Sequence, residues 1–203
     1  MNIKIFLSEN IVDPDPFEQF DIWYKEHLSS VNKYPDAVSL ATSSKEGHVS
    51  LRTVLLKEYN KSGFSFFTNF NSKKGKQLSQ NPIAAMLFYW PESGRQVRIE
   101  GKIEKIPTKD AKAYFATRPR ESQIGAWASE QSSSIPDRQY LENRVELFEN
   151  KFKGKPVKKP LHWGGFRLVP ESIEFWQEGE FRLHDRILYT RKKRSWLIER
   201  LAP

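Results

Sequence analysis

The 203-residue chain contains no cysteine. That excludes disulfides, thiolate nucleophiles and cysteine-ligated metals, and makes a reducing cytoplasm the expected compartment. Histidine is scarce too. His27, His48, His162 and His184 stand far apart, without HExxH or other ligand spacing, so no metal site is expected. No run is long and apolar enough to span a bilayer. The opening MNIKIFLSEN has an early lysine, a short apolar run and no small-residue cleavage site, so no signal peptide is expected. Glycine-rich nucleotide loops of the Walker or Rossmann type are missing, as are internal repeats and low-complexity segments. The SVNK run has the SxxK spacing of serine acyl-enzymes but none of their companion motifs, and reads as chance.

What the chain does have is positive charge: 33 Lys and Arg against 25 Asp and Glu, a formal net charge of +8. Such a surplus suits an anionic partner, whether nucleic acid, a membrane surface or a phosphorylated small molecule. The blocks KFKGKPVKKP and RKKR look like a solvated linker and a hairpin turn, while the other cations are spread along strands among polar and aromatic residues. A nucleic-acid module would need a clustered patch with exposed aromatics. Here the aromatics fall mostly at core-like strand positions, so neither a nucleic-acid nor a membrane partner is expected. A hydrophobic share of 38% with 13% aromatics fits a folded globular chain, most simply one domain over 1–203.

Asp15 is placed to cap a helix with Pro16 in its first turn, and Phe17, Phe20, Tyr24, His27, Leu28 and Val31 recur at helical spacing. The stretches AVSLATS, VSLRTVLLKEY and FSFFTN follow as strands separated by KEGH and NKSG turns. Ser72 opens a short helix that Pro82 stops, and IAAMLFYW reads as a buried strand. In RQVRIEGKIEKI, Val97, Ile99 and Ile103 share one face, and Gln96, Arg98, Glu100, Lys102 and Glu104 the other. Residues 108–152 read as a helical insert and 153–160 as a basic linker. WGGFRLV, SIEFWQ, RILYTR and SWLIERL look like the closing strands of 161–203. Strands joined by tight turns predict a mainly β, antiparallel barrel with helices outside, preceded by a short arm over 1–15.

Several positions could carry chemistry. Arg52 and Lys57 flank an apolar strand with unlike parity; they are either snorkelling cations or contacts to different parts of one ligand. Lys73 and Lys74 lie in the first turn behind Ser72, where the helix dipole disfavours cations. A phosphate held by free N–H groups, the hydroxyl and the lysines would resolve the conflict; an exposed lysine pair is the alternative. Tyr114 and Arg118 are four residues apart, with Arg120 and Ser122 beyond, which suits a second phosphate or a plain helix end. ASEQSSS, with Gln131 and Ser132, reads as a loop. In FWQEGEFRLHDR, a strand would put Arg182, His184 and Arg186 on one face, an arrangement whose repulsion needs an opposing anion.

Taken together, RTVLLKEY, GRQVRIEGKIEKI, RPRESQIGAWASEQSS, WGGFRLVPESIEFWQ, RLHDRILY and the final RLAP resemble the pyridoxine/pyridoxamine 5′-phosphate oxidases, in order from about Phe17 to Pro203. The resemblance implies an FMN-binding split-barrel homodimer with the flavin at the subunit interface. It also implies oxidation of pyridoxamine or pyridoxine 5′-phosphate to pyridoxal 5′-phosphate, with dioxygen as the terminal acceptor. Carried over by motif, the FMN contacts would be Arg52, Thr53, Val54, Leu55, Leu56, Lys57, Phe67, Thr68, Lys73, Lys74, Gln96, Gln131, Ser132, Trp176 and Arg186. Substrate contacts would be Lys57, Tyr114, Arg118 and Ser122 around the phosphate, and Arg182, Leu183 and His184 near the ring, with Arg182 and His184 in the catalytic roles. The chain departs from the family pattern at Phe67, where Tyr is common, at Lys73 for Arg, and at Glu178 for Gly.

Overall fold

The structure, a computed structural model, describes residues 7–30 and 33–203. Val31 and the middle of the SVNK run, named above, lie outside the described residues. Helix α1, Pro16–Ser30, starts as its sequence predicts: the Asp15 carboxylate accepts from the Phe17 N–H at 3.0 Å. Its aromatic face packs into the main core. The Phe20 ring meets Phe64 and Phe88 edge-on at centroid distances of 4.9 and 5.1 Å.

The sheet is antiparallel throughout. Strands β1 (Ala37–Ser43), β2 (Val49–Leu55), β3 (Glu58–Asn60), β4 (Gly63–Asn69), β5 (Ile83–Trp90), β6 (Arg95–Lys105) and β7 (Trp163–Gln177) stand in the order β2-β1-β5-β6-β7-β4-β3. Beyond β7 lie β8 (Asp185–Lys192) and β9 (Ser195–Arg200), a hairpin paired through β8 to β7.

The single strand expected over VSLRTVLLKEY is in fact two. At Leu56–Lys57 the chain changes partners: the Leu56 N–H donates to Asp36 O at 2.8 Å, whereas the Lys57 N–H donates to Ser65 O at 2.9 Å. One continuous segment therefore pairs with β1 on one side and β4 on the other, and the two ends of the sheet order meet at this bend. Leu56 is buried in the core at the turning point.

WGGFRLV and SIEFWQ, expected as separate strands, form the one strand β7. Pro170 is tolerated inside it because the β6–β7 register shifts between Glu100 and Gly101. Gly101 is needed there, since a Cβ would lie 2.1 Å from Val169 O.

Between β4 and β5, α2 (Lys73–Gln80) is capped by Ser72, whose Oγ accepts from the Gly75 N–H at 3.2 Å. Helices α3 (Thr108–Thr117), α4 (Arg120–Ala128) and α5 (Arg138–Lys151) form the segment between β6 and β7. They cover a second core built from Phe115, Ile124, Phe152, Val157 and Trp163. The linker that follows is fastened rather than loose: Arg120 donates to the carbonyls of Phe152 and Lys155, and Trp127 Nε1 to Lys158 O. No helix among the described residues is long and apolar enough to cross a membrane.

Candidate active site

A cleft of about 670 Å³ opens between the barrel and the helical segment. Thr53, Val54 and Leu55 line it from β2, Lys57 from the bend, Phe67 and Thr68 from β4, and Lys74 from α2. Tyr114 and Arg118 enter from the end of α3, Ser122 from α4, and Gln131 from the following loop. Three of these residues are cations, and none of the lining residues is Asp or Glu.

Lys74 reaches back along α2 to Thr68 Oγ1 at 3.1 Å and Gln131 Oε1 at 3.2 Å, both neutral acceptors. Burial pushes its pKa below the usual lysine value, and the nearby Arg52 guanidinium pushes it further the same way. The closeness of α2 to the strand end depends on Gly75, where a Cβ would lie 2.3 Å from Phe70 O.

Arg118 lies over the Trp163 ring at 5.0 Å and the Phe115 ring at 5.6 Å. Its Nη1 is buried without a hydrogen-bond partner, and burial holds its pKa below the usual arginine value. Such a group is costly to leave unmet and is satisfied by an anionic acceptor. Beside it the rings of Tyr114, Phe67 and Trp163 stack, at 4.1 Å between the first two and 5.2 Å between the last two. These give the cleft an aromatic wall.

The other expected site residues fall elsewhere. Arg52 donates to Leu40 O at 3.1 Å and Thr42 Oγ1 at 2.6 Å, behind Lys74. Lys73 is exposed and outside the cleft lining; Leu56 has its side chain in the core; Ser132 is exposed with φ of 74°. Gln96, Trp176 and Arg186 stand side by side across β6, β7 and β8, in a second depression of about 320 Å³. There the buried Glu174 carboxylate takes Arg186 Nε at 2.7 Å and the Arg98 guanidinium, and it pushes Arg186 further above its usual pKa. The two depressions share one outer sheet face, joined by the cross-strand row Thr53–Ser39–Leu87–Arg98.

The expectation for Arg182, His184 and Arg186 is corrected. Residues Glu180–Arg182 form a short 3-10 turn in which Phe181 and Arg182 have φ of 55° and 62°, and β8 starts only at Asp185. There is no alternating face and no row of repelling cations. Arg186 is neutralised by Glu174, and His184 Nδ1 accepts from the Gly179 N–H at 3.2 Å with its ring 4.6 Å from that of Trp176. Arg182 and Leu183 are exposed on the turn.

Sequence reasoning missed Trp163 and Glu174. For Trp163 the signal is the Gly164–Gly165 pair directly behind it, where a Cβ would strike Phe70 and Phe67 respectively. For Glu174 it is the strand parity shared with Trp176.

The antiparallel sheet curled into a half-barrel, with an outer cleft that gathers cations against an aromatic wall, defines a split-barrel protein. The model of the family described as pyridoxamine 5′-phosphate oxidase matches residues 24–152, and one described as the pyridoxine 5′-phosphate oxidase C-terminal dimerisation region matches 163–203. A pyridoxine/pyridoxamine 5′-phosphate oxidase of Burkholderia thailandensis is 53% identical over 95% of this chain and 91% of its own length. One of a Nostoc species is 48% identical over 97% and 92%. Among solved structures, PhzG from Burkholderia lata, in complex with tetrahydrophenazine-1-carboxylic acid, matches with a TM-score of 0.91 and 26% identity over the full length of both chains. An FMN-binding protein from Nostoc punctiforme shares the fold at a TM-score of 0.74 and 19% identity, over 95% of this chain and all of its own. The chain belongs to the pyridoxine/pyridoxamine 5′-phosphate oxidase family.

Proposed function

We propose that this protein is an FMN-dependent homodimer that oxidises pyridoxamine 5′-phosphate and pyridoxine 5′-phosphate to pyridoxal 5′-phosphate. The observation that carries the reading is the cleft itself: Lys74, Arg118 and Lys57, the last ion-paired to Asp36 outside the lining, converge in a lining that has no Asp or Glu, and Arg118 Nη1 is buried and unpartnered. Two phosphates would meet those needs, one at the α2 start and one at the α3–α4 junction.

Lys74, Thr68 and Gln131 would hold the FMN phosphate, with Arg52 and Lys73 behind them and Ser132 beside them. The β2 backbone from Thr53 to Leu55 would lie along the ring system. Lys57, Tyr114, Arg118 and Ser122 would hold the substrate phosphate. Gln96, Trp176 and Arg186, with Arg182, Leu183 and His184 on the adjoining turn, lie too far along the sheet face to complete the same cleft within one chain. A two-fold partner would bring its own copies of them over the cleft. Val49, Leu51 and Tyr89, at 72%, 69% and 60% exposure, crowd the same sheet face and suit burial between two copies. When bound, FMN supplies a two-electron acceptor that dioxygen reoxidises, with hydrogen peroxide as product. The protein's share is placement. Arg182 and His184 orient the substrate ring so that the carbon that becomes the aldehyde faces the flavin.

The likeness to PhzG supports a second reading, oxidation of a reduced phenazine carboxylic acid. Such a ligand has no phosphate for Lys57, Tyr114, Arg118 and Ser122. Peroxide release measured with pyridoxamine 5′-phosphate, pyridoxine 5′-phosphate and a reduced phenazine carboxylate separates the two. The first reading requires a yellow protein, or one that FMN reconstitutes, with turnover of a vitamer phosphate. A colourless protein that FMN cannot restore, or turnover of the phenazine alone, rejects it.

A further inference from the structure

The charge inventory of the cleft leaves one residue unexplained. Lys57 is the cleft cation whose ammonium is ion-paired, and its partner is Asp36, which belongs to no expected site. Both side chains are about three-quarters shielded, at 26% and 24% exposure.

Asp36 is held firmly. The turn before β1 is closed by the Ala37 N–H donating to Tyr34 O at 3.0 Å. It is tied to α1 by His27 Nε2, which donates to Pro35 O at 3.1 Å. The Asp36 carbonyl accepts from Leu56 at 2.8 Å, in the same bend that carries Lys57. Backbone and side chain of Asp36 thus grip two consecutive residues of the bend.

We infer that Asp36 is a positioning residue for phosphate recognition: it fixes the Lys57 ammonium at the cleft wall so that its remaining N–H donors face the substrate phosphate. This rests on the reading of the cleft given above. A lysine ammonium has three donors on a flexible four-carbon stem. One bond to a fixed carboxylate removes most of that freedom while leaving two donors for the ligand. A free lysine would have to be ordered at every binding event. The competing effect is repulsion, because the Asp36 carboxylate also stands near the incoming dianion. Positioning and repulsion predict opposite signs when the charge is removed.

The test is a cycle of Asp36→Asn, Lys57→Ala and the double variant, assayed on the FMN-loaded enzyme. Equilibrium binding of pyridoxal 5′-phosphate and thermal unfolding are measured alongside. Asp36→Asn should raise KM and the product Kd roughly three- to tenfold, the range of a partly shielded ion pair, with kcat retained. Asp36→Glu should restore part of the loss. In the Lys57→Ala background, Asp36→Asn should add nothing. A lowered or unchanged KM in Asp36→Asn overturns the inference, as does an equal loss in the presence and absence of Lys57. If Lys57→Ala itself leaves KM and Kd unchanged, the assignment of Lys57 to the substrate fails, and the role of Asp36 fails with it.

Discussion

Phe67 lies directly over Gly165, its cross-strand partner in the β4–β7 pair. A Cβ at position 165 would come within 2.8 Å of the Phe67 ring and 2.6 Å of Ile106 Cδ1. The glycine lets the ring settle on bare backbone, and this places it against both Tyr114 and Trp163, whose own rings are 6.2 Å apart. Gly165→Ala should therefore destabilise the fold by about 1–3 kcal/mol through overpacking and raise KM by tilting the aromatic wall. Thermal unfolding and steady-state kinetics check both; an unchanged melting temperature would show that Phe67 can move away freely.

Arg118 touches the ligand in the ground state under the proposed reading, so Arg118→Ala should act chiefly on KM and leave kcat much less affected. Removing a guanidinium whose Nη1 is buried and unpartnered should at the same time stabilise the ligand-free fold. A lowered kcat at unchanged KM would take Arg118 out of the phosphate site.

Glu174 carries two arginines; its loss leaves Arg186 without its carboxylate, while Arg98 keeps Glu100 at 3.2 Å. Glu174→Gln should cost about 1–2 kcal/mol, below the range for fully buried pairs because Arg98 is half exposed. It should also weaken FMN retention, read by flavin fluorescence in a dilution series, if Arg186 meets the flavin in the dimer. Full retention would separate Arg186 from the cofactor.

The lowered pKa of Lys74 sets a pH dependence with a definite sign. A phosphate needs the protonated ammonium, and burial together with Arg52 makes the ligand-free protein release that proton below the ordinary lysine range. Affinity for FMN should then fall as pH rises, starting at lower pH than an unperturbed lysine would give. Lys74→Arg should keep its affinity to higher pH. Titration by flavin fluorescence against pH tests this, and identical profiles for the two proteins would exclude Lys74 as the titrating group.

Local signals were legible wherever a short-range rule decides the outcome. Asp15 and Ser72 cap their helices because a carboxylate or hydroxyl can reach N–H groups two or three residues on. The alternation of residues 95–106 became β6 because one face had to be buried. The break at Leu56–Lys57 was not legible, since it depends on which neighbours stand on either side of the segment. Nor was the turn at 180–182, where FRLHDR alternates like a strand but Gly179 approaches the Leu183 carbonyl so closely that a Cβ would lie 2.0 Å from it.

By itself, the sequence determined the residue types: no thiols, a surplus of cations set among aromatics, and the motifs that mark the family. Periodicity and capping convert such local information into elements without further help. Tertiary structure alone decided which cations share a cleft, that Glu174 neutralises Arg186, that Asp36 holds Lys57, and that Gln96 and Trp176 stand apart from Lys74. Those relations join residues from separate strands, and strand order and register arise from burying the barrel core as a whole.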